Sequence, residues 1–133
     1  MPRGTLEVIL IGAKGLHDTD FFSKYFKKMD PYVILTYKAQ EHISSVAKNA
    51  GSNPRWNESF LFTVADNVAE LNLRLMDKDK FTRDDFLGET IINLGPVLEE
   101  YSVPETSYNV VKNQNYRGEV RLALTFHPEG GFY

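Results

Sequence analysis

Alternation between apolar and polar positions organises this chain, and no sustained helical repeat competes with it. In Leu71-Asn72-Leu73-Arg74-Leu75 the leucines share one face of a strand and the polar residues share the other, because successive side chains on extended backbone point to opposite sides. Glu119-Val120-Arg121-Leu122-Ala123-Leu124-Thr125-Phe126 repeats the pattern over eight residues. Thr5–Ala13 is a nearly continuous β-prone run, as expected of a strand with little exposure on either face. Further strands are predicted over Tyr32–Lys38, Ile43–Ala47, Glu58–Val64, Phe86–Asn93 and Ser107–Lys112. Turn signals separate them: Gly12 to Gly15, Gly51-Ser52-Asn53-Pro54, Gly95-Pro96 and Asn113 to Asn115. A short helical turn is predicted at Pro96–Glu100. About eight short strands so punctuated indicate an all-β sandwich. The 133 residues fit one domain, read as residues 1–127, with 128–133 as a short flexible tail that includes Gly130-Gly131.

Composition narrows the function more than the fold. Nine Phe and seven Tyr are enough to build a packed core. The absence of cysteine excludes disulfides, thiolate zinc sites and cysteine nucleophiles, and is consistent with a reducing compartment. The opening Met-Pro-Arg-Gly-Thr lacks the apolar stretch of a signal peptide, and Pro2 excludes N-myristoylation. The longest apolar run, about Val8 to Ile11, is far too short for a membrane span, so a cytoplasmic protein is expected. A formal charge of −3 argues against a general nucleic-acid binder.

The distribution of charge says more than its total. Seven Asp residues fall in two short segments, Asp18 to Asp30 and Asp77 to Asp85. The second, Asp77-Lys78-Asp79-Lys80-Phe81-Thr82-Arg83-Asp84-Asp85, follows an alternating strand and ends where Phe86-Leu87-Gly88 opens another. A strand–acidic loop–strand unit can converge several carboxylates at one end of a sandwich. Calcium is a hard ion that takes six to eight oxygen ligands at roughly 2.3–2.6 Å, and carboxylates at this spacing can wrap one or two ions. An EF-hand reading fails: Phe81, Thr82 and Gly88 stand where its loop needs Asp/Asn, Gly and Glu, and no flanking helices are predicted. An Asp-rich turn between strands also serves as solvated turn chemistry, which is the plainer reading of this segment taken alone.

Several motifs together carry a family resemblance. Asp77-x-Asp79-x5-Asp85 after a Leu-rich strand resembles the third calcium-binding loop of C2 domains. Met29-Asp30-Pro31-Tyr32-Val33 resembles the Asp-Pro-Tyr motif that ends their first calcium loop, and Asn53-Pro54-Arg55-Trp56-Asn57-Glu58-Ser59-Phe60 resembles their Asn-Pro-x-Trp-Asn-Glu-x-Phe signature. The opening strand, from Gly4 to Leu16, is similar too. The motifs stand in family order from Gly4 to Phe126. Length, the Thr-Leu-Glu-Val opening, Tyr108-Asn109-Val110-Val111 and Tyr116-Arg117-Gly118-Glu119 resemble the small plant single-domain C2 proteins of the elicitor-responsive and phloem types. The resemblance implies an eight-stranded antiparallel β-sandwich of the second C2 topology with calcium loops at one end. It also implies a role in calcium-linked defence or transport signalling.

Carried over residue by residue, the resemblance gives Asp30, Asp77, Asp79 and Asp85 as Ca2+ ligands, with the Lys78 carbonyl as an addition. In the family another Asp lies about six residues before the Asp-Pro-Tyr aspartate; here Asp20 lies ten before Asp30, so the first loop is longer. If Phe21 to Met29 bulges outward, Asp20 reaches the ion, with Asp18 as the alternative. If the insertion redirects the loop, that ligand is lost. Trp56 is expected to pack where its strand starts, with Asn57 and Glu58 fixing a turn.

Aromatic and basic residues beside these loops suggest a membrane face. Phe21, Phe22, Lys24, Lys27 and Lys28 in the first loop, and Lys78, Phe81 and Arg83 in the third, are the expected contacts with anionic phospholipid. The competing reading of 21–28 is a segment packed back on the sandwich. His42 to Lys48 holds a single lysine, which makes no phosphoinositide patch. His17, His42 and His127 show no ligand spacing, and Ser44-Ser45 lacks a nucleophile elbow. Carboxylates that hold calcium must be ionised, so no catalysis and no small-molecule substrate are expected. The expected function is calcium-dependent phospholipid binding, with peripheral recruitment to the plasma membrane when calcium rises. The alternative is a calcium-independent adaptor in trafficking that binds protein partners or RNA.

Overall fold

The computed structural model describes residues 2–17 and 28–130. Eight antiparallel strands form it: β1 (Gly4–Lys14), β2 (Pro31–Tyr37), β3 (Gln40–Ile43), β4 (Arg55–Val64), β5 (Glu70–Asp77), β6 (Asp85–Asn93), β7 (Ser102–Lys112) and β8 (Asn115–Pro128). A short helix, α1 (Gly95–Glu100), bridges β6 and β7, with Pro96 in its first turn, where a missing N–H costs nothing. The strand order is β3-β2-β5-β6-β7-β8-β1-β4. Between β6 and β7 the ladder narrows to one register pair, Glu89 with Val111. The two four-stranded halves fold over this narrow join into the layers of a β-sandwich.

Period-two patterning places the core. Leu6, Val8 and Leu10 of β1, Val33, Leu35 and Tyr37 of β2, and Leu71, Leu73 and Leu75 of β5 are fully buried. Val120, Leu122, Leu124 and Phe126 of β8 close over them, so the alternation read from the sequence is the inward face of each strand. Several predicted boundaries shift; β8, for one, begins at Asn115, four residues before the alternating run at Glu119. The third strand is Gln40–Ile43 rather than Ile43–Ala47, β4 begins at Arg55, and β7 begins at Ser102. The stretch after Ile43 leaves the regular ladder because a side chain replaces one rung: Ser44 N–H donates to Val33 O (2.9 Å), but Val33 N–H donates to Ser44 Oγ (2.8 Å), and Ala47 N–H reaches Pro31 O (2.8 Å). His127 and Pro128 belong to β8, and Glu129 N–H donates to Arg3 O at 2.8 Å.

The outer edges β3 and β4 are not paired by backbone; side chains bridge them. The Gln40 amide donates to Thr63 O and accepts from Thr63 N–H, both at 2.7 Å, imitating one rung of a ladder. The His42 ring nitrogen meets Leu61 O at 2.8 Å while the ring packs edge-on to Phe62 with centroids 4.9 Å apart. The Glu58 carboxylate takes both the N–H and the hydroxyl of Ser45, at 2.8 and 2.9 Å. Two edges that would invite another strand are thereby occupied. Glu58 thus ties the β3–β4 connection rather than fixing a local turn, whereas Asn57 does take the left-handed conformation (φ 51°) inside β4.

Candidate metal centre

Register determines what meets at one end of the sandwich. Pro31 pairs with Asp77 across β2 and β5, and Asp77 pairs with Asp85 across β5 and β6. Asp30 immediately precedes Pro31, so Asp30, Asp77 and Asp85 stand at neighbouring positions of three adjacent strand ends. Asp79 follows two residues after Asp77, in the connection 78–84. The connections 15–30, 44–54 and 113–114 emerge at this same end, since Gly12 pairs with Arg55 and Lys14 with Glu119.

The loops are fastened to one another. Asp77 is buried (4% exposed), and its Oδ1 accepts the N–H of Asp30 at 2.8 Å. Lys78 N–H donates back to Asp30 O at 3.0 Å. Asp30 Oδ1 accepts Asn49 N–H at 2.6 Å, and Gly51 N–H reaches Met29 O at 3.0 Å, so the 44–54 connection is tied to the first. In the third connection Asp79 Oδ1 accepts from Phe81 N–H (2.9 Å) and Thr82 N–H (3.2 Å), an Asx-type turn that presents Phe81 at the tip. Phe81 is 92% exposed, and Lys28, Lys78, Lys80 and Arg83 are exposed with it.

Two residues without a role in the sequence reading organise this loop. The Tyr32 hydroxyl donates to Asp84 Oδ2 in a short hydrogen bond, Asp79 N–H donates to Asp84 Oδ1 at 2.9 Å, and Lys78 Nζ lies 3.7 Å from Asp84 Oδ2. The Tyr32 hydrogen bond, with those from Asp79 and Lys78, holds the Asp84 carboxyl below its ordinary range. Burial, then the contact with Asp84, pushes the Tyr32 phenol up to about 12. Tyr32 belongs to the Asp-Pro-Tyr motif, but its pairing with Asp84 depends on the β2–β5 register, which local sequence does not display.

As they stand, no three acidic or histidine side chains among the described residues are gathered closely enough to hold an ion. The donor set nonetheless fits calcium in kind, with carboxylate oxygens on three neighbouring strand ends and a backbone-ordered loop beside them. Asp18, Asp20, Phe21, Phe22, Lys24 and Lys27 lie outside the described residues. Trp56 is buried at the second position of β4, matching its expected packing role, and its Nε1 has no hydrogen-bond partner among the described residues.

Comparison with known proteins agrees with this architecture. The C2 domain family profile matches residues 4–110. Elicitor-responsive protein 3 of Oryza sativa subsp. japonica is 53% identical over 129 residues, covering 97% of this chain and 87% of the relative. The 16 kDa phloem protein 2 of Arabidopsis thaliana is 51% identical over 128 residues, covering 96% of this chain and 84% of the relative. The solved, calcium-bound pair of C2 domains of Extended-Synaptotagmin 2 superposes with a TM-score of 0.79 at 29% identity, covering 95% of this chain and 46% of that one. Strand order, loop motifs and these likenesses coincide, and the chain belongs to the C2 domain family, alongside small plant C2 proteins of the elicitor-responsive and phloem types.

Proposed function

We propose that this C2 domain binds anionic phospholipid membranes in response to calcium, with Asp30, Asp77, Asp79 and Asp85 as the described ligands and Asp20 as a further one. The observation that carries the reading is the alignment of Asp30, Asp77 and Asp85 on three adjacent strand ends beneath an exposed loop tip. When bound there, calcium would cancel the clustered negative charge and offer open coordination positions to lipid phosphate oxygens. The protein's own residues supply the rest. Phe81 places an apolar ring at the extreme of the loop, and the exposed Lys28, Lys78, Lys80 and Arg83 add attraction of about 1 kcal/mol each near an anionic surface. Phe21, Phe22, Lys24 and Lys27, which lie outside the described residues, are assigned membrane contact on their aromatic and basic chemistry.

Because the sandwich already holds its loops together, binding requires carboxylates to turn toward the ion, not strands to move. No role in catalysis is assigned to any residue. The setting proposed is a cytoplasmic protein recruited to the plasma membrane as calcium rises, and the elicitor-responsive name of one relative favours a place in plant defence signalling. Co-sedimentation with phosphatidylserine-containing vesicles tests the reading. Pelleting in calcium and release in chelator are expected; equal pelleting in both, or none in either, overturns it, and equal pelleting would favour the calcium-independent adaptor.

A further inference from the structure

A groove of about 550 Å³ lies on the outer face of the β4-β1-β8-β7 layer, the layer that does not carry Asp30, Asp77 and Asp85, and its lining includes Gly12, Lys14, Arg55, Ser107, Glu119 and Arg121. Its floor is set by register. Gly12 pairs with Arg55 on one side and with Arg121 on the other, and Arg121 pairs in turn with Ser107. Across four strands the row therefore reads Arg55, Gly12, Arg121, Ser107. Strands are about 4.8 Å apart, so the two arginines rise from backbone positions about 10 Å apart, with no side chain between them.

A side chain is excluded at this position. A Cβ on Gly12 would lie 2.5 Å from Pro54 O and 3.5 Å from Arg55 Cγ. A β-bulge between Leu10 and Gly12 brings this position onto the outer face. The wall carrying Arg55 is pinned to β1: Ala13 N–H donates to Pro54 O (2.9 Å), Gly15 N–H to Asn53 Oδ1 (3.0 Å) and Leu16 N–H to Ser52 O (3.0 Å).

The charges lean positive. Lys14 and Arg55 have no ion-pair partner among the described residues, while Arg121 pairs with Glu105 at 3.0 Å. Glu119, the register partner of Lys14, is the one carboxylate in the lining. Arg55 and Arg121, on the strands either side of Gly12, line one groove with the Ser107 hydroxyl, and arginine recognises a tetrahedral oxyanion through paired N–H bonds.

We propose that the Arg55–Gly12–Arg121 groove binds a phosphomonoester group, and does so without calcium. The ligand displaces Glu105 from Arg121, so Glu105 tunes affinity downward. Lipid headgroups and soluble phosphorylated molecules share this chemistry, and the test separates them.

In chelator, inositol hexakisphosphate is titrated by calorimetry, and vesicles of phosphatidylcholine with phosphatidic acid are pelleted in parallel. Arg55→Gln and Arg121→Gln are each expected to weaken binding roughly tenfold or more, the loss of one charge-assisted contact. Glu105→Gln is expected to strengthen it, and Lys48→Gln, on the β3–β4 connection, to leave it unchanged. Loss in the vesicle arm identifies a lipid headgroup; binding confined to the titration identifies a soluble ligand. No binding of either probe, unchanged binding by both arginine variants, or weaker binding by Glu105→Gln overturns the proposal. Should an arginine variant fail to fold, amide shifts in the native protein decide: changes centred on Gly12 and Ser107 support the groove, and changes centred elsewhere refute it. Because every arm is run in chelator, failure here is distinct from failure of the calcium reading.

Discussion

Replacing Asp77 by Asn and by Ala separates its structural work from its charge. The Asp77 carboxylate is buried and accepts the Asp30 N–H at 2.8 Å, so it helps fix the residue that opens β2. Asparagine keeps a carbonyl acceptor at that position and removes the negative charge from a crowded acidic end. Without calcium, Asp77→Asn should therefore fold with a stability within about 1 kcal/mol of native, since a neutral acceptor replaces a charged one. Alanine removes the acceptor and leaves the Asp30 N–H without it, which should cost about 1.5–3 kcal/mol. Calcium reverses the comparison. At a concentration about 100 times its dissociation constant, an ion bound only by the folded state stabilises by about 2.7 kcal/mol. Native protein should gain that increment, and both variants should lose most of it. Urea unfolding followed by Trp56 fluorescence, in calcium and in chelator, measures all of these values. A full calcium increment in Asp77→Asn, or an Ala variant as stable as the Asn variant, would refute the reasoning.

The remaining predictions probe other parts of the molecule. Tyr37 is fully buried, and its hydroxyl donates to Val68 O at 3.0 Å; burial first, then Asp66, raises its pKa. A raised phenol pKa favours the neutral folded form, so its stability contribution is complete below the ordinary tyrosine value of about 10 and declines as pH rises through the higher folded value. Tyr37→Phe should cost about 1 kcal/mol at pH 7 and flatten that alkaline decline in denaturant melts. Gly118 holds φ 111°, and a Cβ there would lie 2.7 Å from both Lys14 O and Gly15 O, so Gly118→Ala should destabilise by more than about 2 kcal/mol in chemical denaturation. Leu73→Ala, at a fully buried position of β5, should cost about 3–5 kcal/mol through lost transfer energy and a cavity, read as a lower denaturant midpoint. Phe81→Ser should leave stability within about 0.5 kcal/mol, because the ring is 92% exposed, yet reduce calcium-dependent vesicle pelleting.

Much of the architecture was legible because the signals are local. Alternation in Leu71–Leu75 and Glu119–Phe126 specifies which face is buried, since the period of two is a property of extended backbone and needs no partner to be read. The Asp77–Asp85 loop and the Asp-Pro-Tyr step were visible for the same reason: their residues are consecutive. Boundaries were less legible where hydrogen bonds leave the ladder. Ser44 to Ala47 are β-prone in sequence, but the Ser44 hydroxyl takes the Val33 N–H in place of a backbone rung, and the pairing strand ends at Ile43.

What only tertiary structure decided is which distant residues meet. The clasp of Tyr32 on Asp84 spans 52 positions, and the Asn49 tie to Asp30 spans 19. The Gln40, His42 and Glu58 bridges that close the β3–β4 edges follow from how the two layers face each other, and the Arg55–Gly12–Arg121 row follows from register within one layer. Sequence by itself determined strand faces, turn positions and an acidic end, because these depend on backbone geometry and side-chain polarity within a few residues. Cross-strand register aligned Asp30, Asp77 and Asp85. It is set only when the buried faces of all eight strands are satisfied together, since a slip of one residue would turn a whole strand's apolar side chains outward.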